Sequence, residues 1–202
     1  MSTRRPLVLA SASPRRRELL AQLTPEFVVS PGDVDERLDP ARLQESLAAL
    51  ALDKAQAAAA AVPDAIVLAA DTVVVIDGEV LGKPADANDA RGMLRRLSGR
   101  EHRVLTGVAV LDTRTGRAET RVVESRVVMR PFDAGAVDRY VASGEPLDKA
   151  GAYAIQGLGG VLVEAVAGSY SNVVGLPLDE TRALLEAFGV PVRRDASSGA
   201  SA

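Results

Sequence analysis

The chain has 202 residues, no cysteine, no tryptophan and one histidine, His102, with 24 Lys and Arg against 27 Asp and Glu and a formal charge of −3. These counts exclude disulfides, thiolate nucleophiles, Cys-ligated zinc or iron–sulfur clusters and multi-His metal sites, and only His102 could serve a Ser-His-Asp triad. Any hydrolytic chemistry is left to carboxylates, hydroxyls, amines or a hard metal ion, and the mild negative charge argues against wholesale binding to nucleic acid or anionic membrane.

Residues 6–10 predict a short buried strand. Ser13-Pro14 then opens a helix, with Ser as N-cap and Pro at the first helical position, and Leu19, Leu20 and Leu23 give it an apolar stripe. Residues 26–30 read as a second strand, followed by the loop signal Ser30-Pro31-Gly32-Asp33. Residues 40–61 predict a long helix of high intrinsic propensity. A buried strand over 65–70 precedes a hairpin, 73–76 and 79–81, because Asp77-Gly78 supplies the positive φ of a tight turn. An amphipathic helix over 88–97, a long hairpin from 104–111 and 118–129, and a helix over 134–142 follow. Residues 144–160 read as a Gly-rich loop with a short element inside, 161–166 as a strand, and Pro177 opens a last helix to about Phe188.

Long hairpins among helix-connected strands imply an α/β fold with a mixed sheet. Residues 1–191 are expected to form one domain and 192–202, small and polar, a disordered tail. No run approaches the ~20 apolar residues of a membrane helix, and no signal-peptide pattern opens the chain. A soluble, cytoplasmic protein is the expectation.

Several segments could carry chemistry. Ser11-Ala12-Ser13-Pro14-Arg15-Arg16-Arg17 places three arginines in the first turn of a helix, where cations oppose the macrodipole. Either they are solvated, or free N–H groups, hydroxyls and guanidinium forks converge there on a phosphate chain. Asp71 sits between two apolar strand runs; it is either a bulge or turn residue bonded to backbone, or a general base or metal ligand at a strand end. Lys83, in Leu-Gly-Lys-Pro, reads as a hairpin end and lacks Walker A spacing. Gln156, in a Gly-rich loop, could read a base edge through its amide. Glu36 belongs to an acidic loop with Asp33 and Asp35 that is either solvated or an oxygen-ligand site for Mg²⁺. Lys54 reads as a charge on an Ala-rich helix, and His102 as structural or surface.

Taken together, the segments resemble the Maf nucleotide pyrophosphatases. They are Ser-x-Ser-Pro-Arg-Arg-x-Glu-Leu-Leu at 11–20, Ala-Asp-Thr at 70–72, Leu-Gly-Lys-Pro at 81–84 and Leu-Ser-Gly-Arg-x-His at 97–102. Glu-Pro-Leu-Asp-Lys-Ala-Gly-Ala-Tyr at 145–153, Ile-Gln-Gly at 155–157 and Gly-Ser-Tyr-x-Asn-Val-x-Gly-Leu-Pro at 168–177 complete the series. The resemblance runs from about Pro6 to Phe188 and implies a mixed twisted sheet in an elongated, two-lobed domain with a central cleft, as in inosine triphosphate pyrophosphatases.

The resemblance further implies hydrolysis of a nucleoside triphosphate to the monophosphate and pyrophosphate, aided by a divalent cation, Mg²⁺ or Mn²⁺. It places the catalytic carboxylate on Asp71, the acidic metal-side residue on Glu36, and the triphosphate-side residues on Ser11, Arg16, Lys54 and Lys83. Positions associated with substrate choice fall on Arg15, Thr72 and Gln156. The Asp-Lys-Ala-Gly-Ala-Tyr and Ile-Gln-Gly pairing looks like the subgroup acting on dTTP and UTP, although Ala154 replaces a Gly common there. The alternatives are a pyrophosphatase for 7-methyl-GTP or non-standard purine nucleotides, and a nucleotide-binding cell-division regulator without catalysis. The expected partner is the nucleotide, with no stable nucleic acid or membrane binding; a homodimer stays open.

Overall fold

A computed structural model describes residues 5–193. The expected tail lies outside the described residues from 194 onward; Arg193 itself is held by its N–H, which donates to the Leu23 carbonyl at 2.7 Å.

Among the described residues seven strands form one mixed sheet, β1 (Leu7–Leu9), β2 (Val28–Val29), β3 (Ile66–Ile76), β4 (Glu79–Leu81), β5 (Glu101–Asp112), β6 (Ala118–Met129) and β7 (Val163–Ala167). The order is β2-β1-β3-β5-β6-β7, with β4 also paired to β3. β1 runs parallel to β2 and β3, and the other pairings are antiparallel. Among the described residues the α-helices are α1 (Pro14–Leu23), α2 (Leu43–Ala59), α3 (Ala87–Leu97), α4 (Ala134–Ala142), α5 (Tyr170–Val174) and α6 (Leu178–Ala187). Among the described residues no helix is long and apolar enough to cross a membrane.

The alternation of β3 sorts the layers, since successive side chains of a strand point to opposite faces. Val67, Ala69, Val73 and Val75 face α2. On the other face, Ile66, Leu68 and Ala70 pack with α1 and α6, and Val74 and Ile76 with α3 and α4. On this second face Thr72 lies between the two clusters.

Caps set the helix starts. Ser13 accepts from the Arg16 N–H at the head of α1, Asp86 from Asn88 and Asp89 at α3, and Asp133 from Ala136 at α4. Each such cap contributes about 1 kcal/mol.

Several expectations need correction. The 65–70 and 73–76 runs are one strand, because β5 pairs with β3 without a break from Ile66 to Val75; Asp71 is neither bulge nor turn. The 40–61 helix begins as a 3₁₀ turn, Pro40–Arg42, capped by Asp39, before α2. The second strand shrinks to Val28–Val29, both exposed at the sheet edge. The short helix α5 was not expected: its five residues carry no readable periodicity, and Ser169 caps it through the Asn172 N–H. His102 lies inside β5 at 2% exposure, so its role is structural and not at the surface.

Candidate active site

The site arises where β3 lacks a neighbour. β1 pairs with β3 only as far as Leu68, and β4 only from Val74 onward. Between them the outer edge of β3 is open. Continuing the two registers brings Ser11, just past β1, and Lys83, just past β4, to the level of Ala70–Thr72 from opposite sides. A cleft of about 910 Å³ wraps this edge, large enough for a nucleotide. Its walls include Leu38 and Val73 from the α2 side and Val74 and Val173 from the other.

Asp71 points toward α2. There Lys54, 8% exposed, places its Nζ 2.5 Å from Asp71 Oδ1 and 2.6 Å from Glu36 Oε1. Two glycines make this approach feasible. A Cβ on Gly107, the β5 partner of Asp71, would lie 2.6 Å from the Leu47 carbonyl, so α2 settles onto the sheet one to two turns before Lys54. A Cβ on Gly32 would lie 2.6 Å from the Lys54 carbonyl, so the acidic loop also lies flush on the helix and delivers Glu36. The bond from Lys54 holds the Glu36 carboxyl below its usual range, against the opposing effect of burial.

Thr72 points to the opposite face. Arg16 binds it through Nη2 at 3.0 Å, the Gly175 carbonyl through Nε at 2.8 Å and Ser11 Oγ through Nη1 at 3.3 Å. One guanidinium thus ties the end of β1, the middle of β3 and the turn after α5, with N–H bonds still left on both Nη atoms. Burial lowers the Arg16 pKa, an effect the Asp71 charge partly offsets. Thr106 shares the Thr72 hydroxyl at 2.9 Å and donates to the Asn172 carbonyl at 3.2 Å.

The remaining expected residues line the same cleft. Arg15 lies on its wall near Asp148 and Glu145, its pKa lowered mainly by burial, with Nε buried and unpartnered. Lys83 is exposed at the rim, and Gln156 projects from the Gly-rich loop. Ser11, Arg15, Arg16, Glu36, Lys54, Asp71, Thr72, Lys83 and Gln156 are therefore brought together. Lys54 differs from the expectation of a surface charge: its ammonium is committed to two carboxylates. The uncommitted positive charge rests chiefly on Arg15, Arg16 and Lys83.

Sequence reasoning gave no role to Gly175, whose carbonyl anchors Arg16, nor to Tyr140, which sits behind the Gly-rich loop. The Gly168–Pro177 motif was the available signal for the former; the latter had none. Two carboxylates converging on one ammonium offer oxygen ligands to a hard cation. Among the described residues no group of three His, Cys, Asp or Glu forms a metal cage.

Residues 6–188 match the family described as Maf-like protein. A dTTP/UTP pyrophosphatase of Myxococcus xanthus is 57% identical over 188 residues, covering 92% of this chain and 94% of its own. A dTTP/UTP pyrophosphatase of Anaeromyxobacter dehalogenans is 55% identical, over 92% of this chain and 95% of its own. A solved nucleoside-triphosphatase / dITP/XTP pyrophosphatase from Mycobacterium abscessus matches at 13% identity and a TM-score of 0.44, covering 90% and 93% of the two chains.

Proposed function

The chain belongs to the Maf family, and from that membership we propose that it hydrolyses dTTP and UTP to the monophosphate and pyrophosphate. The observation that carries the reading is the convergence of Asp71, Lys54 and Glu36 with Ser11, Arg16 and Lys83 around one open strand edge. The relatives named dTTP/UTP pyrophosphatase, identical at more than half of the aligned positions, support the choice of substrate.

Ser11, Arg15, Arg16 and Lys83 bind the triphosphate and offset the charge that builds on the leaving pyrophosphate. Asp71 accepts the proton of the attacking water or orients it toward the α-phosphorus. Lys54 holds the Asp71 carboxylate in place. Glu36 and Asp71 are the residues that would hold a divalent cation, and the donor set fits Mg²⁺, which is commonly bound by one or two carboxylates plus substrate phosphates. When bound, it supplies charge neutralisation at the phosphate oxygens. Gln156 offers an amide donor and acceptor that complement the N3–H and carbonyl edge of uracil or thymine.

Pyrophosphate release from a panel of nucleotides with Mg²⁺ tests the reading. The expected result is turnover of dTTP and UTP that Asp71→Asn abolishes without loss of fold. Activity confined to 7-methyl-GTP or inosine triphosphate rejects the pyrimidine assignment, and binding without release under any metal rejects catalysis.

A further inference from the structure

Gln156 makes no side-chain hydrogen bond to any described residue, so within the protein only its backbone fixes where its side chain enters the cleft. That backbone is held at both ends. The Ala154 N–H donates to the Tyr140 hydroxyl at 3.1 Å. On the far side, the N–H groups of Leu158 and Gly159 donate to the two oxygens of Glu145 at 3.1 and 2.9 Å. Tyr140 and Glu145 together bridge the base of the segment, the one holding its start and the other its end.

The glycines of the loop are the ones this bridge requires. A Cβ on Gly157, at φ 88°, would lie 2.3 Å from Glu145 Oε1, and one on Gly159 would lie 2.4 Å from the Tyr140 hydroxyl. Tyr140 is itself fixed, 6% exposed on α4 in the cluster that includes Val137, Leu162 and Tyr153. Glu145 lines the cleft, yet its oxygens are committed to these donors. Burial raises the Glu145 pKa, but the N–H groups of Gly159 and Leu158 and the nearby Tyr140 hydroxyl together outweigh it, so the pKa lies below its ordinary value. A carboxylate so committed is suited to holding a loop and not to taking a proton from substrate.

We propose that Tyr140 and Glu145 are positioning residues for base selection, their bridge fixing how Gln156 meets the nucleobase. The inference rests on the nucleotide pyrophosphatase reading of the cleft. It separates base choice from phosphate chemistry: the Gln156 segment is tied to α4, whereas Asp71, Lys54 and Arg16 are tied to β3, α2 and α1.

The test measures kcat/KM for dTTP, UTP, CTP, dATP, ITP and 7-methyl-GTP in the wild type, Tyr140→Phe, Glu145→Gln, Gln156→Ala and Tyr140→Phe/Gln156→Ala. Tyr140→Phe keeps the ring and its packing, which guards against simple misfolding. The expected result is a fall of about tenfold in the ratio between the preferred and disfavoured bases, carried by KM, with kcat for the preferred nucleotide changed less than about threefold in Tyr140→Phe and Glu145→Gln. Adding Tyr140→Phe to Gln156→Ala should leave that ratio where Gln156→Ala put it. Equal losses across the panel, or additive losses in the double variant, overturn the proposal. A wild type that prefers a purine triphosphate overturns the pyrimidine reading alone, and the same ratio, inverted, then judges the bridge. A wild type without base preference, or without turnover, overturns both.

Discussion

The Lys54 ammonium lies between Asp71 and Glu36, 2.5 Å from an oxygen of the one and 2.6 Å from an oxygen of the other. A single cation therefore couples the open edge of β3 to the acidic loop. Its removal leaves the two carboxylates with no charge between them and takes away the bond that lowers the Glu36 pKa. Lys54→Gln is expected to lower kcat/KM for dTTP by about 100-fold, a loss of the size seen when one electrostatic group of an active site is deleted. It should also return the Glu36 carboxyl toward its usual range. Glu36 has a depressed pKa in the folded protein, so its attachment persists above the ordinary carboxylate pKa and is lost as pH falls through the depressed value. NMR titration of the Glu36 carboxyl carbon in the two proteins checks the shift, and steady-state kinetics checks the rate.

Gly107 has no chemistry of its own, yet the Lys54 contact depends on it. A Cβ there meets the Leu47 carbonyl at 2.6 Å, a backbone atom that cannot rotate away. Gly107→Ala must lift α2 from β5, with an overpacking cost of about 1–3 kcal/mol. The lift acts at the helix that carries Lys54. Urea unfolding should show that destabilisation, and kcat should fall by more than tenfold at temperatures where the variant is fully folded. Retention of wild-type kcat in the folded variant would mean that the depth of α2 does not set the Lys54 position.

Two carboxylates with no third acidic or His ligand among the described residues make a weak metal site by themselves, so cation binding should depend on substrate phosphates. Chelation by EDTA is expected to stop pyrophosphate release without shifting the thermal midpoint of the free protein. Isothermal titration of Mg²⁺ should give weak binding to the free protein and tighter binding with a non-hydrolysable dUTP analogue present. A large thermal shift on chelation would instead indicate a structural ion.

Much of this site was legible in the sequence because its residues lie at strand ends and a helix start. The cap at Ser13, the Asp77-Gly78 turn and the Pro14 helix start are local signals, and they place Ser11, Arg15, Arg16 and Lys83 at the strand end, helix start and hairpin end that line the cleft. Asp71 looked like an interruption because a charged residue breaks an apolar run. It lies inside an unbroken strand because β5 pairs with it on one side while the opposite edge is open to the cleft. That relationship depends on where β1 stops and β4 starts, and so on long-range register. Lys54 looked exposed for the same kind of reason: helical propensity says nothing about which face a partner strand will cover. The Tyr140–Glu145 bridge spans separate elements and has no sequence period to reveal it.

His102 offers a test of the core that leaves the phosphate chemistry alone. Its Nε2 lies 2.7 Å from the Tyr153 hydroxyl, its Nδ1 is buried without a partner, and burial pushes its pKa down to about 4. The sign follows from proton counting. Between about pH 6.5 and 4 the unfolded chain binds a proton at this position and the folded protein does not, so acid favours unfolding. Stability attributable to His102 is intact above pH 6.5, declines through that window and stops declining below pH 4. The loss across that window is on the order of 3 kcal/mol. His102→Gln can still reach the Tyr153 hydroxyl but carries no titrating proton. Urea unfolding at intervals from pH 4 to 8 should give a shallower pH slope for the variant than for the wild type. Parallel slopes for the two proteins would mean that another group supplies the acid sensitivity.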